Sequence, residues 1–396
     1  MLWKLPSLLQ RSATMILLVL TFAAALGFAA VSHLVTRYTA NQQARGRRLY
    51  DIGLAAAKAG HYDDAISALR AALTCDPTNS QYQLSLARAL RDSDDSTDNS
   101  RLEEAQSYLV ALWQRTPQDA AVNLALARVA AHRGSVEDAT RYYHNAMYGV
   151  WNSDADASRN RARVELIQFL LKKGAVAQAD SELIALSTAL PPDPDEQLQA
   201  ARLFQQAHDY AGALARYEEV IRLAPLNAEA QAGAGETAYR SGNYALAQRF
   251  LRAAVNSNPD DTNTRQLLAS ADLVLKANPF LSHISDAERN RRIEAAFAQA
   301  EERLTGCAGQ AGVDLKAASP SAANYPASPL PILQARWLAS KPDLDRLRSP
   351  AETDLPDTIM DVVFQIEQQT AAVCGPPKGL DQALLLISQK REAAAL

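Results

Sequence analysis

A fixed repeat period constrains this chain more than any other feature. Proline stands at positions 191, 225 and 259, with equal steps between them. Gly174, Ala179 and Pro191 set a spacing that recurs unchanged in Gly242, Ala247 and Pro259, and in Gly60, Ala65 and Pro77 near the start of the chain. His208, Ala213 and Pro225 hold the same spacing with His in place of Gly. Six units result: 46–79, 80–119, 120–159, 160–193, 194–227 and 228–261. Units of this size bury an apolar face only by stacking on their neighbours, so the period predicts an array.

Five columns carry the pattern. Position 20 of the unit is Ala65, Ala105, Ala139, Ala179, Ala213 and Ala247. Position 8 is Gly53, Ala87, Ala127, Ile167, Ala201 and Gly235. Positions 24 and 27 are apolar, Leu69 with Ala72 through Leu251 with Ala254, and their spacing of three sets a buried stripe on one helix. Position 32 is Pro in five units and Trp151 in the third. Proline there ends a helix and fixes the turn into the next. Period and columns together resemble the tetratricopeptide repeat family. The resemblance implies two helices per repeat, A and B, that approach most closely at positions 8 and 20, where only a small side chain fits. Ile167 departs from that rule, so the fourth repeat is expected to open slightly. Trp151 predicts a longer or looser junction over 151–158. Richness in Ala and Leu, with only 6% aromatic residues, fits an all-α fold. The expected architecture is an α-solenoid of about six repeats over 46–261.

The second repeat carries an insertion, 92–100 (DSDDSTDNS), acidic and free of apolar residues. It reads as a solvated loop; as a calcium loop it lacks the Gly and the closing Glu of an EF-hand. Residues 262–306 are expected to cap the array. Leu267, Leu268, Ala271 and Leu275 fall at helical spacing, and Asn278-Pro279 ends that helix. Ser285 followed by Glu288 forms a capping box for a further helix over 286–304. Residues 308–331 hold two Gly and four Pro and read as a linker. Helical patterning returns in 332–396, over 332–347, 355–373 and 379–392, with Pro342 splitting the first stretch. These helices suit either a small bundle or a cap on the solenoid.

Residues 1–14 form an N-terminal tail, and 15–36 a transmembrane helix or signal anchor. No charged side chain lies between Arg11 and Arg37. As a helix that run is ~37 Å long, against a bilayer core of ~30 Å. Gly27-Phe28-Ala29 also offers a small-x-small cleavage site behind Lys4 and Arg11. A soluble exported protein binding peptides or glycans is therefore the alternative to a single-pass anchor. Arg37, Arg45, Arg47 and Arg48 outnumber Lys4 and Arg11, which favours a cytoplasmic large domain. Long domains nonetheless translocate largely regardless of charge, and the reading adopted puts the large domain outside the cytoplasm.

The chain has no Walker A loop, no strand-borne GxGxxG, no HExxH and no GxSxG. No enzyme activity, cofactor, metal or small-molecule substrate is expected. A hydrolytic or lytic role for 308–396 would lack its usual base, because that stretch has no His. Forty Lys and Arg against 44 Asp and Glu leave a net charge of −4, which argues against a nucleic-acid partner. Three cysteines exclude a four-thiolate zinc site. Cys75 reads as a small buried hydrophobe. Cys307 and Cys374 each end a helical stretch close to Gly; they are either a staple for the tail in an oxidising compartment or two unrelated thiols.

The family resemblance further implies a concave face, lined by helix A at positions 2, 5, 9, 12 and 13, that takes a protein or peptide partner. On those positions stand Arg47, Lys58, Arg88, Arg91, Arg128, Arg161, Lys172, Arg202 and Arg240, against Asp92, Asp195, Glu229 and Glu236. That surplus predicts a basic stripe for an acidic partner segment, the bland alternative being solvated helix faces. Arg88, Arg128 and Arg202 share position 9 and are expected to face such a segment together. The dicarboxylate clamp of chaperone-binding relatives is not supported, since position 5 is Tyr50, Leu84, Leu124, Val164, Leu198 and Ala232. The function expected is a membrane-anchored scaffold for protein–protein interaction or complex assembly.

Overall fold

The computed structural model describes residues 7–93, 99–316, 328–347 and 354–395. The acidic core of the expected insertion (94–98) and much of the expected linker (317–327) lie outside the described residues. Among those residues the chain is all-α, with one isolated bridge between Asp119 and Val150. Two compact units divide the chain, Met1–Leu186 and Ser187–Leu396.

The first unit begins with α1 (Ser7–Lys58), followed by α2 (Tyr62–Cys75), α3 (Ser80–Asp92), α4 (Ser100–Arg115), α5 (Ala120–His132), α6 (Val136–Tyr148) and α7 (Ala155–Lys172). Helix α8 (Val176–Ala189) runs across the division. The second unit continues with α9 (Pro194–Gln206), α10 (Tyr210–Leu223), α11 (Ala228–Arg240), α12 (Tyr244–Ser257) and α13 (Thr262–Ala277). Its tail comprises α14 (Asp286–Ala311), α15 (Leu330–Ser340), α16 (Asp343–Arg346), α17 (Leu355–Cys374) and α18 (Gly379–Ala395).

The columns have physical counterparts. All six alanines of position 20 are fully buried. A Cβ added to Gly53 would stand 2.7 Å from Cγ of Leu69, and one added to Gly235 2.6 Å from Cγ of Leu251. The tightest neighbour of position 8 is therefore the leucine of position 24; the position-20 alanine contributes its carbonyl, 3.3 Å away for Ala65. Ile167, the large residue of the column, is fully buried. The A–B turns place Gly60, Gly134, Gly174 and Gly242 at φ between +72° and +79°, where a side chain is costly. His208 adopts +62° at the equivalent place.

Helix starts are capped by side chains. Asn79 and Asp119 accept from the second and third backbone N–H groups of α3 and α5, and Asp193 and Asp261 do the same for α9 and α13. A further column lies at position 4. Gln83, Asn123, Gln197 and Gln231 each donate a side-chain N–H to the carbonyl of the proline six residues earlier, at 2.8, 2.8, 2.9 and 2.8 Å. Where Trp151 replaces that proline, position 4 is Arg163, which is buried and donates to Glu182 instead. The junction there is longer but held in place. The Val150 N–H donates to the Gln118 carbonyl, and the Ala120 N–H to the Val150 carbonyl.

Two boundaries differ from the sequence expectation. No break separates the apolar N-terminal run from helix A of the first repeat, since α1 is one helix of 52 residues. Gly46 allows this, lying buried against Cys75 and Tyr82 while the helix passes. Helix α14 likewise runs past Gly306 and Gly309 to Ala311, because burying Cys307 and Ala308 outweighs the weak helix propensity of glycine.

The tail packs on α13, so it is both a bundle and a cap on the repeats of its own unit. Phe297 and Trp337 stack at 4.9 Å, and the Trp337 indole N–H donates to the Phe297 carbonyl. Cys307 and Cys374 are joined by a disulfide that links α14 to α17, with Cα atoms 5.7 Å apart. Beside it Arg303 donates to the carbonyls of Thr370 and Gly375. Glu367 is fully buried, and neither carboxyl oxygen has a hydrogen-bond partner among the described residues. Burial, reinforced by Asp381 and opposed by Arg303, pushes its pKa up to about 8.

Candidate partner-binding site

The first unit holds a cavity of about 580 Å³ on the side of its A helices. Tyr50 of α1, Ser85 and Arg88 of α3, Arg115 at the end of α4, Asp119 before α5 and Asn152 of the bridged junction all line it. Stacking of Tyr50 on Tyr82, with centroids 4.8 Å apart, fixes one wall, and its hydroxyl lies 3.1 Å from that of Ser85. Asp119 is the cavity's single carboxylate, and one of its oxygens accepts the Ala121 and Val122 N–H groups as the cap of α5.

Arg88 is the exceptional group. It is half-buried, its Nε is shielded from solvent, and that atom has no partner among the described residues. Burial, and then the positive charges of Arg128 and Arg91, hold its pKa below the ordinary arginine value. An arginine stays protonated under such a shift, so the cavity wall carries a charge without an ion pair among the described residues, acted on by Asp119 only across the cavity.

Four other arginines of the expected stripe are spent on carboxylates, whereas Arg47 and Arg161 have no carboxylate partner among the described residues. Arg128 forks onto Glu165, Nε to Oε2 at 2.8 Å and Nη2 to Oε1 at 2.6 Å. That bond, more than burial opposes it, raises the Arg128 pKa, and Tyr143 donates to the same carboxylate. Arg91 bonds Asp92 with two nitrogens. In the second unit Arg202 pairs with Glu229 and Arg240 with Glu236. Arg202 and Arg240 line one pocket of about 320 Å³ with His208 and Tyr210. Lys58 and Lys172 are exposed at the ends of α1 and α7. The expectation of three equal charges at position 9 is thus revised: Arg88 alone of the three has no carboxylate partner among the described residues. Glu165 explains much of this. It stands at position 6 of its repeat, off the positions counted for the concave face, and its carboxylate reaches back to the preceding repeat. Arg115 and Asn152 were also beyond that count, because they come from the end of a B helix and from a junction.

Profiles of the tetratricopeptide repeat family match residues 50–99, 94–149 and 204–271. The chain is a tetratricopeptide repeat protein. Tetratricopeptide repeats are in general a non-catalytic fold for protein–protein interaction. No curated protein matches the sequence. Among solved structures, Pseudomonas aeruginosa PilF is 16% identical with a TM-score of 0.41, covering 58% of this chain and 99% of its own. PilW, a type IV pilus biogenesis factor, is 16% identical with a TM-score of 0.41, covering 56% of this chain and 98% of its own. The C-terminal part of a Cytophaga hutchinsonii repeat protein is 13% identical with a TM-score of 0.44, covering 62% and 93%. This tetratricopeptide repeat protein also carries, within α1, a helical stretch long and apolar enough to cross a membrane, near the N-terminus and with its apolar window unburied.

Proposed function

We propose that this protein is a membrane-tethered scaffold that captures an acidic segment of a protein partner in the cavity of its first unit. The observation that carries this is the Arg88 guanidinium in the cavity wall, which has no ion pair among the described residues while Arg91 and Arg128 beside it are paired with Asp92 and Glu165. An incoming carboxylate gains there a charge-assisted bond without breaking an existing ion pair. The continuity of α1 from the apolar run into the first repeat supports retention of the segment as an anchor rather than its removal. The disulfide supports a large domain on the oxidising, extracytoplasmic side.

Pull-down from detergent-solubilised membranes tests the site. Arg88→Glu should abolish capture of the partner set, and rising salt should weaken wild-type capture in parallel. Arg202→Glu, which removes a charge already paired with Glu229, should leave capture close to wild type. Full capture by Arg88→Glu at every salt concentration would remove the cavity from consideration. Sidedness is read separately, by protease protection of the tail in intact cells and in cells with a permeabilised outer boundary.

A further inference from the structure

Several arginines elsewhere in the first unit have acidic partners, among them Arg70 with Glu104, Arg101 with Asp63 and Arg141 with Asp138. Arg37, Arg45 and Arg48 on α1 do not. All three are exposed, or nearly so, and none has an ion-pair or hydrogen-bond partner among the described residues. The first acidic residue of the chain is Asp51, one turn beyond Arg48 on the same helix, and no ion pair joins the two among the described residues.

Their placement on the helix is specific. At about 100° per residue, Arg48 falls roughly 20° and Arg45 roughly 80° from Arg37, so the three share one face. By the same count Gly46 and Gly53 fall roughly 160–180° from Arg37, roughly 140–160° from Arg48 and roughly 80–100° from Arg45. Those glycines are the seam through which α1 packs on the first repeat, Gly46 against Cys75 and Tyr82, Gly53 against Leu69. Arg37 and Arg48 therefore point away from the repeat, Arg45 lies on the flank beside them, and all three stay uncovered.

The apolar run before Arg37 supplies the second half of the inference. It exceeds the bilayer core by ~7 Å, a surplus that tilting absorbs. Tyr38, exposed and directly after Arg37, suits the aromatic belt at the bilayer surface. On an upright helix Arg48 would stand ~16 Å beyond Arg37, clear of the headgroups. On a helix tilted toward the arginine face, Arg45 and Arg48 descend onto them.

We propose that Arg37, Arg45 and Arg48 seat α1 on anionic phospholipid headgroups and so fix the direction in which the helix leans. The proposal rests on the anchored reading above, and the two are separable. Extraction of the chain from membranes by an alkaline wash would overturn both; an anchored chain without lipid preference would overturn only the arginine face.

The full chain, reconstituted in nanodiscs of phosphatidylcholine, is probed with spin-labelled phosphatidylglycerol and phosphatidylcholine. Wild type should associate with the anionic probe about five-fold more strongly, the gain expected of one basic contact at a charged surface. The preference should fall toward unity in about 0.5 M salt. Arg37→Gln with Arg45→Gln and Arg48→Gln should abolish it. Arg47→Gln, on the flank of α1 away from Arg45, should retain it. Thermal melts should match wild type in every variant, because these side chains make no contact that the fold depends on. Equal association of the two probes with wild type, or an anionic preference that survives the triple substitution, would overturn the proposal. So would loss of a co-purifying protein in the triple variant with lipid preference intact, which would assign the face to a protein contact.

Discussion

In the repeats, a buried amide such as Gln231 reaches the carbonyl of Pro225, six residues away, and the same bond recurs at Gln83, Asn123 and Gln197. In the bundle of α14, α17 and α18, the Glu367 carboxyl is fully buried with both oxygens unbonded, and one Asp381 oxygen beside it is equally orphaned. Repeats tie down their turns with short bonds copied from unit to unit, even though the Gln83 and Asn123 amide oxygens and the Thr237 hydroxyl are left without a partner there among the described residues, so no single bond is decisive. The bundle buries groups that repel one another and is held by one long-range covalent link. Stability is therefore spread out in the repeats and concentrated in the tail.

Removing the link tests that contrast most severely. Cys307→Ser with Cys374→Ser frees a closed loop with a sequence separation of 67 and should cost the bundle ~4 kcal/mol, read by hydrogen exchange along α17 with and without reductant. Protection of α17 unchanged by the substitution would erase the distinction between the regions. Next is the acid. Its folded pKa of about 8 exceeds the ordinary 4.5, so the folded state binds the extra proton between those values. Its contribution is then fully present below about pH 4.5, is lost as pH rises toward 8, and is flat above. Glu367→Gln should flatten this limb and stabilise the bundle by a few kcal/mol at about pH 9, seen in urea titrations across that range. Identical pH profiles for the two proteins would mean that the carboxyl finds a partner in solution.

The repeats should respond less. Ala213 is fully buried in the position-20 column, so Ala213→Leu should overpack α10 and cost ~1–3 kcal/mol in a thermal melt. The smallest effect is expected from Gln231→Leu, which strips one latch from Pro225 and should cost about 1 kcal/mol. A loss as large as that of the staple would show that the latches act together.

The repeat columns were legible because a period multiplies a weak signal. One alanine means little in an Ala-rich chain, but Ala65 through Ala247 in phase with Gly and Pro mean a great deal. The latch amides were equally periodic and sit in plain sight six residues after each proline; the physical reason to look there is the orphaned proline carbonyl. The cavity around Arg88 was legible only in part. Its charge lies on a repeat position, but its isolation depends on Glu165 drawing Arg128 away, and that acid occurs once. The orphaned carboxyls of the tail were not legible, because burial of Glu367 follows from how three helices pack and not from any local pattern.

The disulfide has a consequence for the covalent topology of the chain. Joining Cys307 to Cys374 makes a closed ring of the residues between them, with the repeats attached at one sulfur-bearing residue and α18 at the other. A protease that cuts once anywhere within that ring opens it but divides nothing. Repeats and C-terminus remain one molecule until the sulfurs are reduced. A single nick there is invisible on a non-reducing gel, and the clipped protein still carries α18 against the Gly242 turn through Lys390.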